Sequence, residues 1–137
     1  MNGLANGKYT IVPGADTKTW IGADNIDDCA VKPVVIGGQM KTWTMESFDD
    51  GTIKLILEDS WYSTNDGDKV VVQTSVDPGT RWTLFATRGV GPLILSTDMK
   101  MAWTATGTES KDLVVLRPTN AQDPFQVWNF VPVTSQD

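Results

Sequence analysis

The chain has 137 residues, and its 17 acidic side chains outnumber 11 basic ones to give a formal net charge of −6. This length fits one domain that can bury a hydrophobic core, and the ordinary apolar content argues against a disordered chain. Because no basic run occurs anywhere, the composition argues against nucleic acid or an anionic membrane surface as a partner.

The chain carries no sequence signal for membrane insertion or secretion. No apolar stretch is long enough to cross a bilayer, and the first ten residues lack the basic and apolar regions of a signal peptide. Cys29 is the single cysteine, so an intramolecular disulfide cannot form, and no Asn-x-Ser/Thr sequon is present. These features favour a cytoplasmic protein.

Strand signals follow one another in a repeating order, separated by turn clusters rich in Gly, Pro, Asp and Asn. Leading strands are predicted at "YTIV" (9–12), "IKLIL" (53–57) and "PLIL" (92–95). β-Branched runs follow at "VKPVVI" (31–36), "KVVVQ" (69–73) and "LVVL" (113–116). No window has a sustained helical period, so the sequence predicts an all-β domain.

The six tryptophans complete this repeat. The first of each unit are Trp20, Trp61 and Trp103, and the second, 23, 21 and 25 residues later, are Trp43, Trp82 and Trp128. Four strands thus recur in units of about 1–47, 48–87 and 88–137. Three blades are too few for a propeller. The sequence therefore predicts a β-trefoil, a single domain over 1–137 with twelve strands and the indoles as core anchors.

The residue types needed for catalysis are scarce. Histidine is absent, which removes the usual general base and the commonest metal ligand, and one thiol cannot make a conventional zinc site. The acidic clusters at 27–28, 49–50 and 65–68 lie in turn-rich segments, where Asp and Gly serve turn geometry. No phosphate-binding Gly loop or nucleophile elbow occurs. We therefore predict a non-enzymatic protein without metal or cofactor that acts through its loops.

The sequence resembles the fungal β-trefoil proteins over most of its length. The closing segment "AWTATGTESKDLVVLRP…DPFQVWNF" is similar to the last repeat of the mycospin-type serine protease inhibitors, and "WTMESFDDGTIKL" is similar to their Trp strand and hairpin. The first repeat, "GKYTI…WIGADNIDDCAVKPVV", is similar to the start of that family. Ricin-B-like fungal lectins and the mycocypin inhibitors of cysteine proteases are related to it. The resemblance implies a non-catalytic protease inhibitor.

The resemblance also implies a reactive bond in the loop between the second and third strands. The family's acidic-Arg-small run matches Asp28, Cys29 and Ala30, so cysteine replaces the arginine that trypsin inhibition requires. A small apolar side chain suits a chymotrypsin- or elastase-like pocket better than one lined by a carboxylate. The alternative for Cys29 is a half-buried structural position. Lys100 and Arg88, each in another loop, are alternative protease contacts or ordinary solvated charges.

Glycan binding is the alternative function for the same fold. Residues 126–128 satisfy the Gln-x-Trp motif of ricin-type lectins once, but the aspartate of their galactose sites is missing. Tyr62 beside Asn65 and Asp66 offers an aromatic platform with hydroxyl-binding groups, and strand alternation turns Tyr62 toward solvent if Trp61 points inward. We therefore expect a protease inhibitor first, a lectin second and a scaffold with neither activity third. Fungal defence fits the first two.

Overall fold

The computed structural model describes residues 6–15, 18–24, 30–58, 60–74, 80–86 and 91–133. Within these residues the fold is all-β, with thirteen strands and one short 3-10 helix, Pro124–Gln126. The strands are β1 (Gly7–Pro13), β2 (Ile21–Gly22), β3 (Val31–Pro33), β4 (Val35–Ile36), β5 (Trp43–Ser47), β6 (Thr52–Leu57), β7 (Trp61–Asp66), β8 (Lys69–Gln73), β9 (Trp82–Phe85), β10 (Leu93–Leu95), β11 (Met101–Ala105), β12 (Val114–Pro118) and β13 (Trp128–Pro132). Over the same residues, no helical segment has the length and apolar character of a membrane span.

Six of the strands form a closed circuit around the core. β1 pairs with β5, β5 with β6, β6 with β9 and β9 with β10, all antiparallel. β13 pairs with β1, and the Trp128 amide donates to the carbonyl of Pro92, just before β10, over 3.0 Å. Gly91 makes this closure possible, because a Cβ atom there would lie 1.8 Å from the Trp128 carbonyl oxygen. Closing the sheet on itself leaves these strands without exposed edges.

The remaining strands form hairpins outside this circuit. β7 and β8 pair from Tyr62 with Gln73 to Asp66 with Lys69, and Gly67 makes their turn with a φ of 62° that suits glycine. β11 pairs with β12 and β2 with β4. A second closed path of strand pairs runs through β6, β7, β8, β12, β11, β10 and β9. The hairpins are therefore joined to the barrel strands and to one another.

One predicted strand is divided in the structure. The sequence predicts a single strand over 31–36, whereas the structure separates β3 from β4 at Val34. Pro33 has no amide hydrogen for a ladder, and Val34 donates to the Val70 carbonyl while accepting from the Val114 amide. β3 thus lies against β8, while β4 turns to β2. This division gives thirteen strands, instead of the predicted twelve, in the part of the chain that the structure describes.

The tryptophans at the starts of β5, β9 and β13 anchor these strands to the hairpins. Each is at most 1 % exposed. Their indole N–H groups have three different acceptors: Trp43 donates to the Ile21 carbonyl over 3.0 Å, Trp82 to Ser63 Oγ over 2.9 Å, and Trp128 to the Trp103 carbonyl over 3.1 Å. Each bond satisfies a buried donor and ties a barrel strand to the second strand of the same repeat. The sequence predicts all six indoles as core anchors, and these three confirm that prediction.

Trp103 lies at the centre of this cluster and differs from its repeat equivalents, Trp20 and Trp61. It is fully buried, and its ring meets those of Trp43 and Trp82 edge-on at centroid distances of 6.0 and 5.2 Å. Its Nε1 is buried without a hydrogen-bond partner among the described residues. Trp20 and Trp61 are only partly buried. The repeat is therefore not symmetric at this position.

We expect Trp43→Phe to destabilise the fold more than Trp103→Phe. Both changes remove a similar volume from the same buried cluster, but only the first removes an N–H bond to the Ile21 carbonyl. Leaving a buried polar group without its partner costs about 1–3 kcal/mol, whereas Trp103→Phe removes an unpaired donor. Urea unfolding followed by circular dichroism measures both free energies. Equal losses would mean that the Trp43 bond gives no net stability.

Candidate functional site

The predicted reactive loop is described only from its third residue onward. Asp28 and Cys29 lie outside the described residues. Ala30 is exposed, and its carbonyl accepts from the Thr74 amide over 3.3 Å. Val31 begins β3 and leaves 46 % of its surface exposed. An exposed bend at Ala30, and then the strand that begins at the exposed Val31, therefore follow Cys29.

β3 is held against the β7–β8 hairpin by its backbone and by Lys32. The register pairs Val31 with Gln73 and Lys32 with Val72. Lys32 is 3 % exposed, and its Nζ lies 5.2 Å from the centre of the Trp61 ring. A desolvated ammonium over an indole contributes up to about 2 kcal/mol. Lys32 thus anchors the strand, while Val31 on the opposite side of β3 remains available to a partner.

Lys100 lies on a closed turn between β10 and β11. The Ser96 amide donates to the Met101 carbonyl and the Met99 amide to the Ser96 carbonyl, both over 2.8 Å. Met99 has a positive φ of 65°. Thr119 donates its hydroxyl to the Met99 carbonyl and its amide to the Lys100 carbonyl. The Lys100 side chain is exposed, but its backbone is bent and its carbonyl already accepts a hydrogen bond.

The residues predicted for glycan binding lie on β7 but not on one face. By strand alternation, Tyr62 and Asp66 share one face, while Asn65 lies on the other face with Ser63. Tyr62 is half-buried, and Asn65 and Asp66 are exposed. The structure therefore separates Asn65 from its two predicted companions. Arg88, the remaining predicted contact, lies outside the described residues.

A cavity of about 410 Å³, termed the hairpin cavity, lies between the β7–β8 hairpin and the β10–β11 turn. Apolar lining comes from Trp82, Met101 and Leu116. Polar lining comes from three segments distant in sequence and consists of Asn65, Asp68, Thr80, Arg81, Ser96, Thr97 and Asp98, with Gly67 at the hairpin turn. Small-molecule sites have volumes of roughly 300–1,000 Å³. Of the residues predicted from sequence, Asn65 lines this cavity.

The Asp98 carboxylate is held by its own turn. Its Oδ1 accepts from the Ser96 hydroxyl over 2.6 Å and from the Lys100 amide over 3.0 Å. These bonds, that of Ser96 foremost, hold the pKa of Asp98 below its ordinary value of 3.8. Asp98 is therefore ionised throughout the physiological pH range, and its Oδ2 accepts no hydrogen bond from the described residues.

Arg81 is the one basic residue lining the cavity among those described, and its charge is already engaged. Its guanidinium carbon lies 3.8 Å from the centre of the Phe48 ring, and its Nη1 lies 3.5 Å from Asp50 Oδ2. Asp50 also accepts from the hydroxyl and amide of Thr52, which lower its pKa. The Asp68 carboxylate has no hydrogen bond or ion pair among the described residues. The lining of the cavity is therefore acidic in balance.

Asp68, Arg81 and Asp98 are not among the site residues predicted from the sequence. Asp68 is predicted to serve a hairpin turn, and the segment around Asp98 was of interest only for Lys100. The spacing of Ser96, Asp98 and Lys100 is typical of an Asp-centred turn and is the one local signal that could have drawn attention to it. Nothing in the sequence signals that three distant segments meet. Within the described residues, no group of three or more potential metal-ligating side chains lies together.

Comparison with known proteins identifies the fold. The chain matches no protein-family model, and no curated protein matches it. It is structurally similar to the proteinase inhibitor from Coprinopsis cinerea, at 14 % identity, with 95 % of this chain and 99 % of that chain covered and a TM-score of 0.80. The Rhizoctonia solani agglutinin is similar at 16 % identity, 95 % and 97 % coverage and a TM-score of 0.78.

A designed 3-fold symmetric protein, ThreeFoil, is similar at 18 % identity, with 93 % of this chain and 99 % of that chain covered and a TM-score of 0.73. At these identities the likeness reports on the fold alone. The all-β architecture of the chain is therefore that of β-trefoil-like proteins, as the sequence predicts.

We expect Ser96→Ala to raise the pKa of Asp98 toward 3.8, because it removes the hydrogen bond that lowers this pKa most. A carboxyl with a depressed folded-state pKa contributes stability that is complete above its unfolded-state pKa and is lost as the pH falls through its folded-state pKa. The variant should therefore lose less stability on acidification below about pH 3.8. Carboxyl NMR titration measures the pKa, and Asp50, which depends on Thr52, is the internal control. An unchanged Asp98 pKa would contradict this cause.

Proposed function

We propose that the chain is a non-catalytic protease inhibitor that binds its target through the loop between β2 and β3. The observation that carries the proposal is the exposed pair Ala30 and Val31, held beside the end of β8 directly after the predicted reactive residue Cys29. A binding loop of this kind must be accessible and must already have its bound conformation, because ordering it on association reduces affinity.

The anchoring of Ala30 fits the behaviour required of a loop that survives in a protease active site. If the bond between Cys29 and Ala30 is cleaved, Ala30 carries the new amino group. The Thr74 bond to the Ala30 carbonyl and the β3–β8 ladder hold this new chain end in place. A reactant held in position rejoins far faster than one free in solution, so the protease remains occupied.

Lys100 fits the scissile position less well. A scissile residue needs an extended backbone and a carbonyl that can enter the oxyanion hole of the protease. The turn at 96–101 is closed on itself, and the Lys100 carbonyl accepts from the Thr119 amide. We therefore assign the specificity-pocket residue to Cys29, with Asp28 before it, and keep Lys100 and Arg88 as the alternative contacts.

The proposed target is a serine protease with a small apolar specificity pocket, because Cys29 is small and apolar. The likeness to the Coprinopsis cinerea proteinase inhibitor, which spans nearly all of both chains, supports an inhibitor of this size and fold. The Rhizoctonia solani agglutinin is covered almost as fully. The choice between the two therefore rests on the loop.

We expect the protein to inhibit chymotrypsin or elastase, and Cys29→Asp to weaken inhibition about a hundredfold or more, because a carboxylate would be buried in an apolar pocket. Cys29→Arg should transfer inhibition to trypsin, whose pocket contains a carboxylate. Inhibition constants measured against chymotrypsin, elastase, trypsin and papain provide the comparison. Mass spectrometry should also detect slow cleavage between Cys29 and Ala30.

Lys100→Ala is the matched control and should keep full inhibition. Inhibition that is lost in Lys100→Ala and kept in Cys29→Asp would move the contact to the β10–β11 turn. An inhibitor of papain alone would overturn the serine protease class, and a protein that inhibits no protease would overturn the proposal.

Glycan binding is the second candidate, and it is favoured by the position of Asn65 in the hairpin cavity. The sequence predicts that the sugar binds to Tyr62, Asn65 and Asp66 of β7. If Tyr62 is the platform, Tyr62→Ala should abolish binding on a glycan array and leave protease inhibition unchanged.

The organisation of the chain is part of the same proposal. We divide the single domain, 1–137, into three four-stranded units at about 1–47, 48–87 and 88–137, counting β3 and β4 as one interrupted strand. Each unit then contributes its first and last strands to the barrel and its middle pair to a hairpin. A cytoplasmic location and a role in fungal defence stay predictions.

A further inference from the structure

The hairpin cavity combines an apolar surface with acceptors for hydroxyl groups. Met101 and Leu116 are half-buried and provide aliphatic surface, while Trp82 is 1 % exposed and contributes no aromatic face to the opening. The Asp68 carboxylate and Oδ2 of Asp98 accept no hydrogen bond from the described residues. A saccharide has this same combination, because its C–H groups form an apolar patch and its hydroxyls donate around the edge.

The charge of the lining narrows the class of ligand. The lining contains two carboxylates, those of Asp68 and Asp98, and one guanidinium, that of Arg81. The guanidinium already contacts Asp50 and the Phe48 ring. A phosphate, a sulfate or an acidic sugar would bring a further negative charge to this acidic lining and would be repelled. A neutral ligand rich in hydroxyl donors is not repelled. Hydrogen bonds from its hydroxyls to the ionised carboxylates are also stronger than those to neutral acceptors.

The walls of the cavity are fixed before any ligand arrives. The β10–β11 turn closes on itself, and Thr119 holds it from outside through the carbonyls of Met99 and Lys100. On the opposite wall, the Asp68 carbonyl accepts from the Leu116 amide over 2.7 Å. The Thr80 amide donates to the Ser63 backbone carbonyl over 3.1 Å. Preformed walls spare a ligand the entropic cost of ordering loops.

We infer that the hairpin cavity binds a neutral saccharide of one or two rings, with Asp68 and Asp98 accepting its hydroxyls. Asn65 supplies an amide, Arg81 a further donor, and Met101 and Leu116 the surface against which the ring lies. This inference rests on the glycan-binding candidate and moves the contact from Tyr62 to the cavity. It is independent of protease inhibition through Cys29.

The test uses an array of neutral and sialylated oligosaccharides, followed by calorimetric titration of the best-bound neutral glycan. Asp98→Asn keeps an oxygen for the Ser96 and Lys100 bonds but replaces Oδ2 with a donor, and Asp68→Asn removes the second charge. Each change should weaken binding about ten- to a hundredfold, as expected for a hydrogen bond to a charged group. Tyr62→Ala should bind as the wild type does.

Asp123→Asn is the matched control, because Asp123 also accepts a backbone amide, that of Phe125, but does not line the cavity. It should leave binding unchanged. Glycan binding that survives both Asp68→Asn and Asp98→Asn but is lost in Tyr62→Ala overturns the cavity site and keeps the glycan-binding candidate. A preference for sialylated glycans overturns the ligand class. An array on which no glycan binds overturns both, without bearing on the protease assays.

Discussion

The structure depends on the placement of three indole N–H groups that are buried in the core. Each belongs to a tryptophan at the start of a barrel strand, and each must find an acceptor, because an unpaired donor at this depth is costly. All three acceptors lie on the second strand of the same repeat. The bonds therefore fix each hairpin relative to the barrel. In the middle repeat the acceptor is a side chain, Ser63, so the geometry there depends on that residue and not on backbone alone.

The proposed binding surfaces lie where the structure departs from threefold symmetry. Trp103 fills the centre of the core, whereas its equivalents Trp20 and Trp61 remain partly exposed, each with a lysine over its ring. Over Trp61 that lysine is Lys32, which brings β3 onto the β7–β8 hairpin and presents Val31 on the outside. A symmetric core stabilises the domain, but its symmetric positions give no reason for one loop to bind differently from another.

The sequence was sufficient to predict the features that depend on the periodic recurrence of apolar residues. The all-β class, most strand positions and the buried Trp43, Trp82 and Trp128 follow from the recurrence of apolar residues. The break at Val34 does not follow, because the partners that separate β3 from β4 come from β8 and β12. The burial of Lys32 does not follow from the sequence either. A lysine is expected to be exposed, and its burial depends on the Trp61 ring beneath it, which only the structure shows. Tyr62, Asn65 and Asp66 are near neighbours in sequence, yet alternation along β7 separates them.

Both proposed sites depend on the β7–β8 hairpin, and they involve its opposite ends. At one end, Thr74 and Gln73 hold Ala30 and Val31 beside the reactive loop. At the other end, Asp68 lines the hairpin cavity. Six residue steps along extended chain, from Asp68 to Thr74, separate the two by roughly 20 Å. The exposed side of β3 and the hairpin cavity therefore draw on opposite ends of one hairpin.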